Sequence, residues 1–215
     1  MHDRSESIFT GGEPMNVAHR WLCNSNRWRD VVKQYVIPWT LEGLDLGADV
    51  LEVGPGYGAA TTELAGRVKH LTCVEIHCGM ADRLRRQTDE GKVTVLCEDA
   101  THSSLPADSF DAAVCFTMLH HIPSPALQDR LLAEVLRVLR PGGVFAGTDS
   151  KESRFFRFLH LFDTLTVVNP ETFAARLTAA GFEDAQVDVN PYAFRFRGKK
   201  PGIRTQGPGV TPQPA

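Results

Sequence analysis

The sequence predicts an α/β fold: one doubly wound, mostly parallel sheet of seven strands whose last strand is antiparallel. Three observations carry this. Short apolar runs alternate with helix-period segments from residue 50 to residue 150, the pattern of right-handed strand–helix–strand crossovers. The first run, Val50-Leu51-Glu52-Val53, passes directly into the glycine-rich turn Gly54-Pro55-Gly56-Tyr57-Gly58-Ala59 and then a helix. The last patterned stretch reads as a hairpin about Asn190-Pro191, with Tyr192, Phe194 and Phe196 alternating with Ala193, Arg195 and Arg197.

In chain order, residues 1–13 are polar and aperiodic and are expected to be a mobile arm. Residues 14–46 are expected to form two helices covering the site. The first starts near Pro14 and carries Val17, Ala18, Trp21 and Leu22. The second follows Asn24-Ser25-Asn26 and carries a stripe of Trp28, Val31, Val32, Tyr35, Val36 and Trp39, bent or ended by Pro38. After strand one (50–53), a helix is expected from Ala59 to about Val68, strand two over 71–75, a helix over 80–86, strand three over 92–96 and strand four over 110–116. Ser124 as N-cap and Pro125 at the first helical position start the clearest helix, with Leu127, Leu131, Leu132, Val135, Val138 and Leu139 on one face. Arg140-Pro141-Gly142-Gly143 stops it. Strand five covers 144–149. In the apolar segment 155–168, Phe155, Phe158, Leu159 and Phe162 share a helical face while Phe156 and Leu161 fall off it; a lid, a substrate wall, a dimer contact and core packing all fit. Asn169-Pro170 caps a helix that Gly181 stops. The main domain is expected over 47–197, with 198–215 disordered.

A chain of 215 residues suits one such domain with appendages. With 23 basic and 26 acidic residues, net −3, it announces no polyanion, so nucleic acid is disfavoured as a partner. Five cysteines at irregular spacing, three of them in or beside apolar strand-like runs, are expected to be reduced, which implies a cytoplasmic protein. No apolar signal core opens the chain and no run is long enough to cross a membrane.

The glycine turn by itself fits two ligands. Gly54, Gly56 and Ala59 match a dinucleotide fingerprint. Glu52-x-Gly54-x-Gly56-x-Gly58 also resembles the first motif of the class I S-adenosylmethionine-dependent methyltransferases. That resemblance extends over residues 47–197 through Glu75 ending strand two, Glu98-Asp99-Ala100 after strand three, Ser109-Phe110-Asp111 leading to Met118-Leu119-His120-His121, and Leu136-Arg137-Val138-Leu139-Arg140-Pro141-Gly142-Gly143. The order of motifs is similar to that of the small-molecule enzymes typified by the ubiquinone and menaquinone methyltransferases. It implies a Rossmann-like sheet under an N-terminal helical cover, with S-adenosylmethionine as cofactor and S-adenosylhomocysteine as product.

Chemistry separates the two ligands. Glu75 is placed for the ribose hydroxyls of either. A carboxylate at Glu52, just before the turn, would repel a pyrophosphate but suits the ammonium of a methionine tail; the alternative is that it caps the amides of the next helix. Asp99 is placed to accept from the adenine amino group with Ala100 supplying an amide, the alternative being an acidic turn residue. The resemblance adds Pro55, Tyr57, Ile76 and Phe116 to the cofactor set. An alcohol acceptor also needs its proton removed, by a base or with a metal, at the C-terminal edge of the sheet. The candidates are His120, His121 and Asp149, then His160, with Asp163 nearby; the His pair also fits a structural or cofactor-side role. Asp149 with the His pair resembles the divalent-cation site of some sugar O-methyltransferases, although no spacing demands a metal. No Asn-Pro-Pro-Tyr or Asp-Pro-Pro-Tyr tetrad follows strand four, where Phe116-Thr117-Met118-Leu119 stands. The expectation is therefore O-methylation of a small hydroxylated acceptor, a sugar or a polyketide or quinone-type phenol. The alternatives are C- or N-methylation of a lipophilic small molecule, or cofactor binding without turnover. A homodimer through residues 155–168 or the N-terminal helices is a further expectation.

Overall fold

The computed structural model describes residues 16–161 and 163–202; the expected arm, Pro14, Phe162 and the end of the tail lie outside the described residues. Strands β1 (Asp49–Val53), β2 (His70–Glu75), β3 (Val93–Cys97), β4 (Phe110–Phe116) and β5 (Leu139–Ser150) run parallel. The hairpin of β6 (Glu183–Val189) and β7 (Ala193–Lys199) completes the sheet in the order β3-β2-β1-β4-β5-β7-β6, with β7 antiparallel to both neighbours. The sheet runs past the expected boundary at residue 197: Lys199 pairs with Val144, and Lys200 exchanges backbone bonds with Gly142 and Gly143.

A parallel sheet must be covered on both faces, and the strand sequences divide accordingly. Leu51 and Val53 of β1 face α6 (Pro125–Val138) and α8 (Pro170–Ala180), over a core that includes Phe145, Phe173, Phe182, Phe194 and Phe196. Val50 faces the other way, where α4 (Thr61–Arg67), α5 (Cys78–Arg85) and the N-terminal helices contribute Leu64, Leu84, Val32 and Ile37. The expected caps are present. The Ser124 hydroxyl accepts from Leu127 N–H, Asn169 accepts from Glu171 N–H, and Gly181 closes α8 at φ 105°.

The N-terminal cover consists of α1 (Val17–Cys23), α2 (Asn26–Val31), a π-helical turn (Val32–Val36) and α3 (Ile37–Thr40). The π turn corrects the expected stripe. Val32 is buried while Val31 and Tyr35 face solvent, and the turn's extra residue rotates the helix so that Ile37 and Thr40 after it are buried. Ile37 N–H bonds Val32 O, and the chain then runs through Pro38, which has no N–H to give.

Three further expectations are corrected. Strand five begins at Leu139, and Arg140–Gly143 is an irregular excursion between the pairs Phe110–Leu139 and Ala112–Val144. Tyr192 precedes β7 and is exposed. The cysteines are not all reduced: Cys78 and Cys97 form a disulfide, with Cα atoms 5.1 Å apart. Parallel pairing of β2 with β3 brings the tips of the two strands together, a register that cysteine spacing does not reveal. Cys23, Cys73 and Cys115 are free.

Candidate functional site

The strand order reverses between β1 and β4, and the crevice beyond the C-terminal ends of such strands is where doubly wound sheets bind ligands. The glycine turn lies there. Gly54, Gly56 and Gly58 have φ of 63°, 55° and 75°, a left-handed backbone that side chains disfavour. A Cβ on Gly54 would meet Met118 Cε at 2.8 Å, and one on Gly58 would meet Leu84 Cδ1 at 2.6 Å. Nothing lies within 4 Å of a Cβ on Gly56, which leaves that side of the turn open for close approach. Pro55 is buried, and Tyr57 is half-buried with the Arg83 guanidinium 5.2 Å from its ring centre. Helix α4 starts at Thr61, with Ala60 at its cap, rather than at Ala59.

Glu75 is brought to this turn. Its Oε2 accepts from Gly56 N–H at 3.0 Å and its Oε1 from His77 N–H at 3.0 Å, so one carboxylate ties the turn after β1 to the turn after β2. A carboxylate offers about four acceptor positions, so two remain for a diol. Ile76 follows, half-buried. Asp99 Oδ1 accepts from Thr101 N–H at 2.8 Å, an acidic turn residue whose second oxygen is left to other donors. Ala100 and Phe116 are half-buried at the ends of their loop and strand.

Glu52 is 2% exposed. Its Oε2 accepts from the Thr61 hydroxyl at 2.7 Å and from the Cys73 thiol at 3.5 Å. It therefore binds the hydroxyl of the first residue of α4, not the helix amides. Burial raises its carboxyl to about 7, against the lesser effect of the Thr61 hydrogen bond.

The second cluster lies beyond β4 and β5. Thr117 turns the chain out of β4 at φ 50°, a costly conformation for a β-branched residue, with its N–H held by Thr148 O at 2.7 Å. The short 3-10 turn Leu119–His121 follows. His120 and Asp149, both buried, meet there: His120 N–H donates to Asp149 Oδ2 at 3.0 Å, and His120 Nδ1 lies 2.5 Å from Oδ1. On its far side His120 Nε2 lies 3.1 Å from His160 Nε2. The tautomers follow from the partners. His160 Nδ1 is 2.8 Å from Phe156 O, which can only accept, so that nitrogen carries its hydrogen and Nε2 its lone pair. The His120 Nε2 that faces this lone pair is the donor of that contact. Burial lowers His160 to about 4, and burial together with the neighbouring imidazoles takes His121 well below 6.5.

His19 of α1 was not among the candidates from sequence. Its Nδ1 lies 2.9 Å from Asp163 Oδ2, and its ring is edge-on to His160, with centroids 4.2 Å apart. A single histidine in a short helix carries no sequence signal; only the docking of α1 onto the segment after α7 (Arg154–Leu159) gives it a role. That docking also corrects the face expected for the apolar segment. Phe156 is buried against His120 and His160, whereas Phe158 is exposed. A helix of six residues laid over this cluster buries what touches the cluster rather than a regular stripe. The proposed pairing of Asp149 with His120 and His121 around a cation is not what forms: Asp149 is spent on His120 and on Ser150 N–H at 2.6 Å.

A cleft of about 260 Å³ opens beside these groups, walled by His19, Cys23 and Trp28 from the N-terminal cover and by Thr117, His120 and His160 from the sheet side. The N-terminal helices thus close one side of it. At the opposite edge of the sheet, Arg140 pairs with Asp49 at 2.9 Å and with Asp111 at 2.5 Å, so those motif residues hold strand starts together and do not reach the cleft.

Comparison with known proteins returns a consistent family. A methyltransferase-domain family matches residues 51–147. The ubiquinone biosynthesis O-methyltransferase of Hahella chejuensis is 28% identical over 152 residues, 66% of this chain and 62% of that protein; the chain thus spans less than two thirds of that relative's length. The ribosomal RNA small subunit methyltransferase A of Bordetella pertussis is 38% identical over 78 residues, 36% of this chain and 29% of that protein. Among solved structures, a phosphoethanolamine N-methyltransferase of Haemonchus contortus, bound to phosphomonomethylethanolamine and S-adenosylhomocysteine, superposes with a TM-score of 0.63 at 17% identity. That match covers 86% of this chain and 56% of the other.

Proposed function

The chain belongs to the class I S-adenosylmethionine-dependent methyltransferases, and from that premise we propose that it methylates an oxygen of a small hydroxylated acceptor. S-adenosylmethionine would lie across the open side of Gly56, its ribose hydroxyls on the free acceptor positions of Glu75 and its adenine toward Asp99 and Ala100. Glu52 lies behind the turn, where its carboxylate favours the ammonium end of the cofactor. Pro55, Tyr57, Ile76 and Phe116 complete the proposed cofactor wall.

The observation that carries the choice of oxygen is the Asp149-oriented imidazole of His120 on the wall of the cleft. Methyl transfer is an in-line displacement with a neutral thioether leaving, so the protein mainly aligns the acceptor and excludes water, an effect that can supply roughly 7 to 11 kcal/mol. An alcohol or phenol must also lose its proton, and His120 Nε2, once it has given up the hydrogen it shares with His160, is the group placed to take it. Its Nε2 is closed by His160 in this structure. A hydroxyl that takes the place of His160 meets an imidazole already held by Asp149.

Calorimetry with S-adenosylmethionine and S-adenosylhomocysteine, paired with a methyl-transfer assay over phenols, catechols and sugars, tests this. Binding of both nucleotides and methyl ethers as products are expected. Transfer to nitrogen or carbon alone, or binding without any transfer, rejects O-methylation; binding of a nicotinamide dinucleotide in their place rejects the cofactor as well.

A further inference from the structure

His19, His121 and His160 converge from three separate elements, α1, the turn after β4 and the end of α7, with one ring nitrogen of each within 4.8 Å of the others. Two of the three are already oriented through their other nitrogen. His19 gives Nδ1 to the Asp163 carboxylate at 2.9 Å and His160 gives Nδ1 to the Phe156 carbonyl at 2.8 Å, so both turn Nε2 toward the shared space. A carboxylate or carbonyl behind the imidazole is the arrangement that fixes tautomer and ring direction in metal-ligating histidines. The third, His121, has a buried Nδ1 with no hydrogen-bond partner among the described residues, which is unfavourable for a polar atom out of water.

We propose that His19, His121 and His160 bind one divalent transition-metal ion of the zinc class, with its remaining position open to the cleft. Three neutral imidazoles and no carboxylate in the set select zinc, cobalt, nickel or copper, whereas magnesium and calcium take oxygen ligands. Metal–nitrogen bonds of about 2.0 to 2.1 Å require the ring nitrogens to draw together by up to about 1.5 Å, within the reach of side-chain rotation. The ion takes the His160 Nε2 lone pair that His120 now holds at 3.1 Å. His19 and His160 both line the cleft, so a water or an acceptor oxygen entering it reaches the open position. This site differs from the Asp149-centred one suggested by the sequence, because Asp149 faces His120 and Ser150 and is not among the converging groups. It stands independently of methyl transfer, since its test reads the metal directly.

The experiment uses the full chain without an affinity tag, stripped with a chelator and titrated with Co²⁺. One equivalent is expected to bind, with the visible d–d absorption of a four-coordinate site, and Zn²⁺ is expected to displace it. His19→Ala and His121→Ala should abolish the bands, Asp163→Asn should weaken binding roughly 10- to 100-fold, and His70→Ala, on the exposed start of β2, should change nothing. Circular dichroism checks that each variant folds, and His121→Gln replaces His121→Ala if that one does not. Absence of visible bands in the wild type, or stoichiometric binding that survives the His121 substitution, overturns the site.

Discussion

His120 and Asp149 meet twice, once through the backbone N–H of His120 to Oδ2 at 3.0 Å and once through its ring Nδ1, 2.5 Å from Oδ1. The double contact fixes both the position of the turn after β4 and the orientation of its imidazole. It also ties a residue of the turn to the end of β5, so that a change in either side chain reaches the other.

His120→Gln is expected to lower turnover by roughly 10² to 10⁴-fold, the range of a lost general base, while leaving S-adenosylmethionine affinity unchanged by calorimetry. Asp149→Asn should also destabilise the fold, because it leaves a buried hydrogen-bonding group without its partner, at about 1 to 3 kcal/mol. Denaturant midpoints read the second effect and kcat the first. Unchanged turnover in both variants removes this imidazole from the reaction.

Glu75→Gln keeps the size of the side chain but loses the charged acceptor proposed for the ribose and weakens the tie to Gly56. Charge-assisted hydrogen bonds of about 1.5 to 3 kcal/mol translate into a roughly 10- to 100-fold weaker Kd for S-adenosylhomocysteine. An unaltered Kd would place the nucleotide elsewhere.

Glu52 supplies a pH dependence with a definite sign. Burial raises its folded carboxyl from 4.5 to about 7. Below 4.5 the group is protonated in both the folded and unfolded chain and costs nothing. As pH rises from 4.5 through 7, the unfolded chain ionises first and the folded state loses stability, up to about 3 kcal/mol, and the loss is complete above 7. Urea unfolding of the cofactor-free protein should therefore show Glu52→Gln gaining about that much relative to wild type between pH 4 and pH 8. A pH-independent difference between the two would mean that Glu52 titrates normally.

The Cys78–Cys97 bond closes a loop with a sequence separation of 19 beside Glu75 and Asp99. Thiol titration of the denatured, unreduced chain should find three reactive cysteines, Cys23, Cys73 and Cys115, and five after reduction. A loop of that size is worth about 3 kcal/mol, so reduction should lower the denaturation midpoint. Five thiols before reduction would show that the bond does not form.

Much of the fold could be read along the chain because its signals are local. The Ser124-Pro125 and Asn169-Pro170 caps, the Gly181 stop and the strand over 110–116 stand where sequence placed them, since capping and strand burial depend on neighbouring residues. Seven strands with an antiparallel β7 follow from the crossover pattern and the hairpin in the same way, whereas the strand order, with β7 between β5 and β6, does not. The burial of the aromatic stripe in residues 26–40 was not legible, because one extra residue in a π turn rotates every position after it. Phe156, off the helical face read from the sequence, is buried and Phe158, on it, is exposed, because α7 is too short to impose its own period on what it covers.

The sequence by itself determined the glycine turn, the carboxylates at Glu52 and Glu75, and the place of His120 after strand four, because each is set by its position relative to the end of a strand. Only the tertiary structure decided what those groups touch. It set Glu75 on the Gly56 amide, Glu52 under the Thr61 hydroxyl, and Asp149 on His120 rather than in a shared site with His121. It also brought His19 across 141 residues of chain, counted from 19 to 160, to the edge of His160. Backbone hydrogen bonding and side-chain period act between near neighbours, whereas the meeting of distant imidazoles depends on how the N-terminal cover docks against the segment after β5, and no local pattern records that.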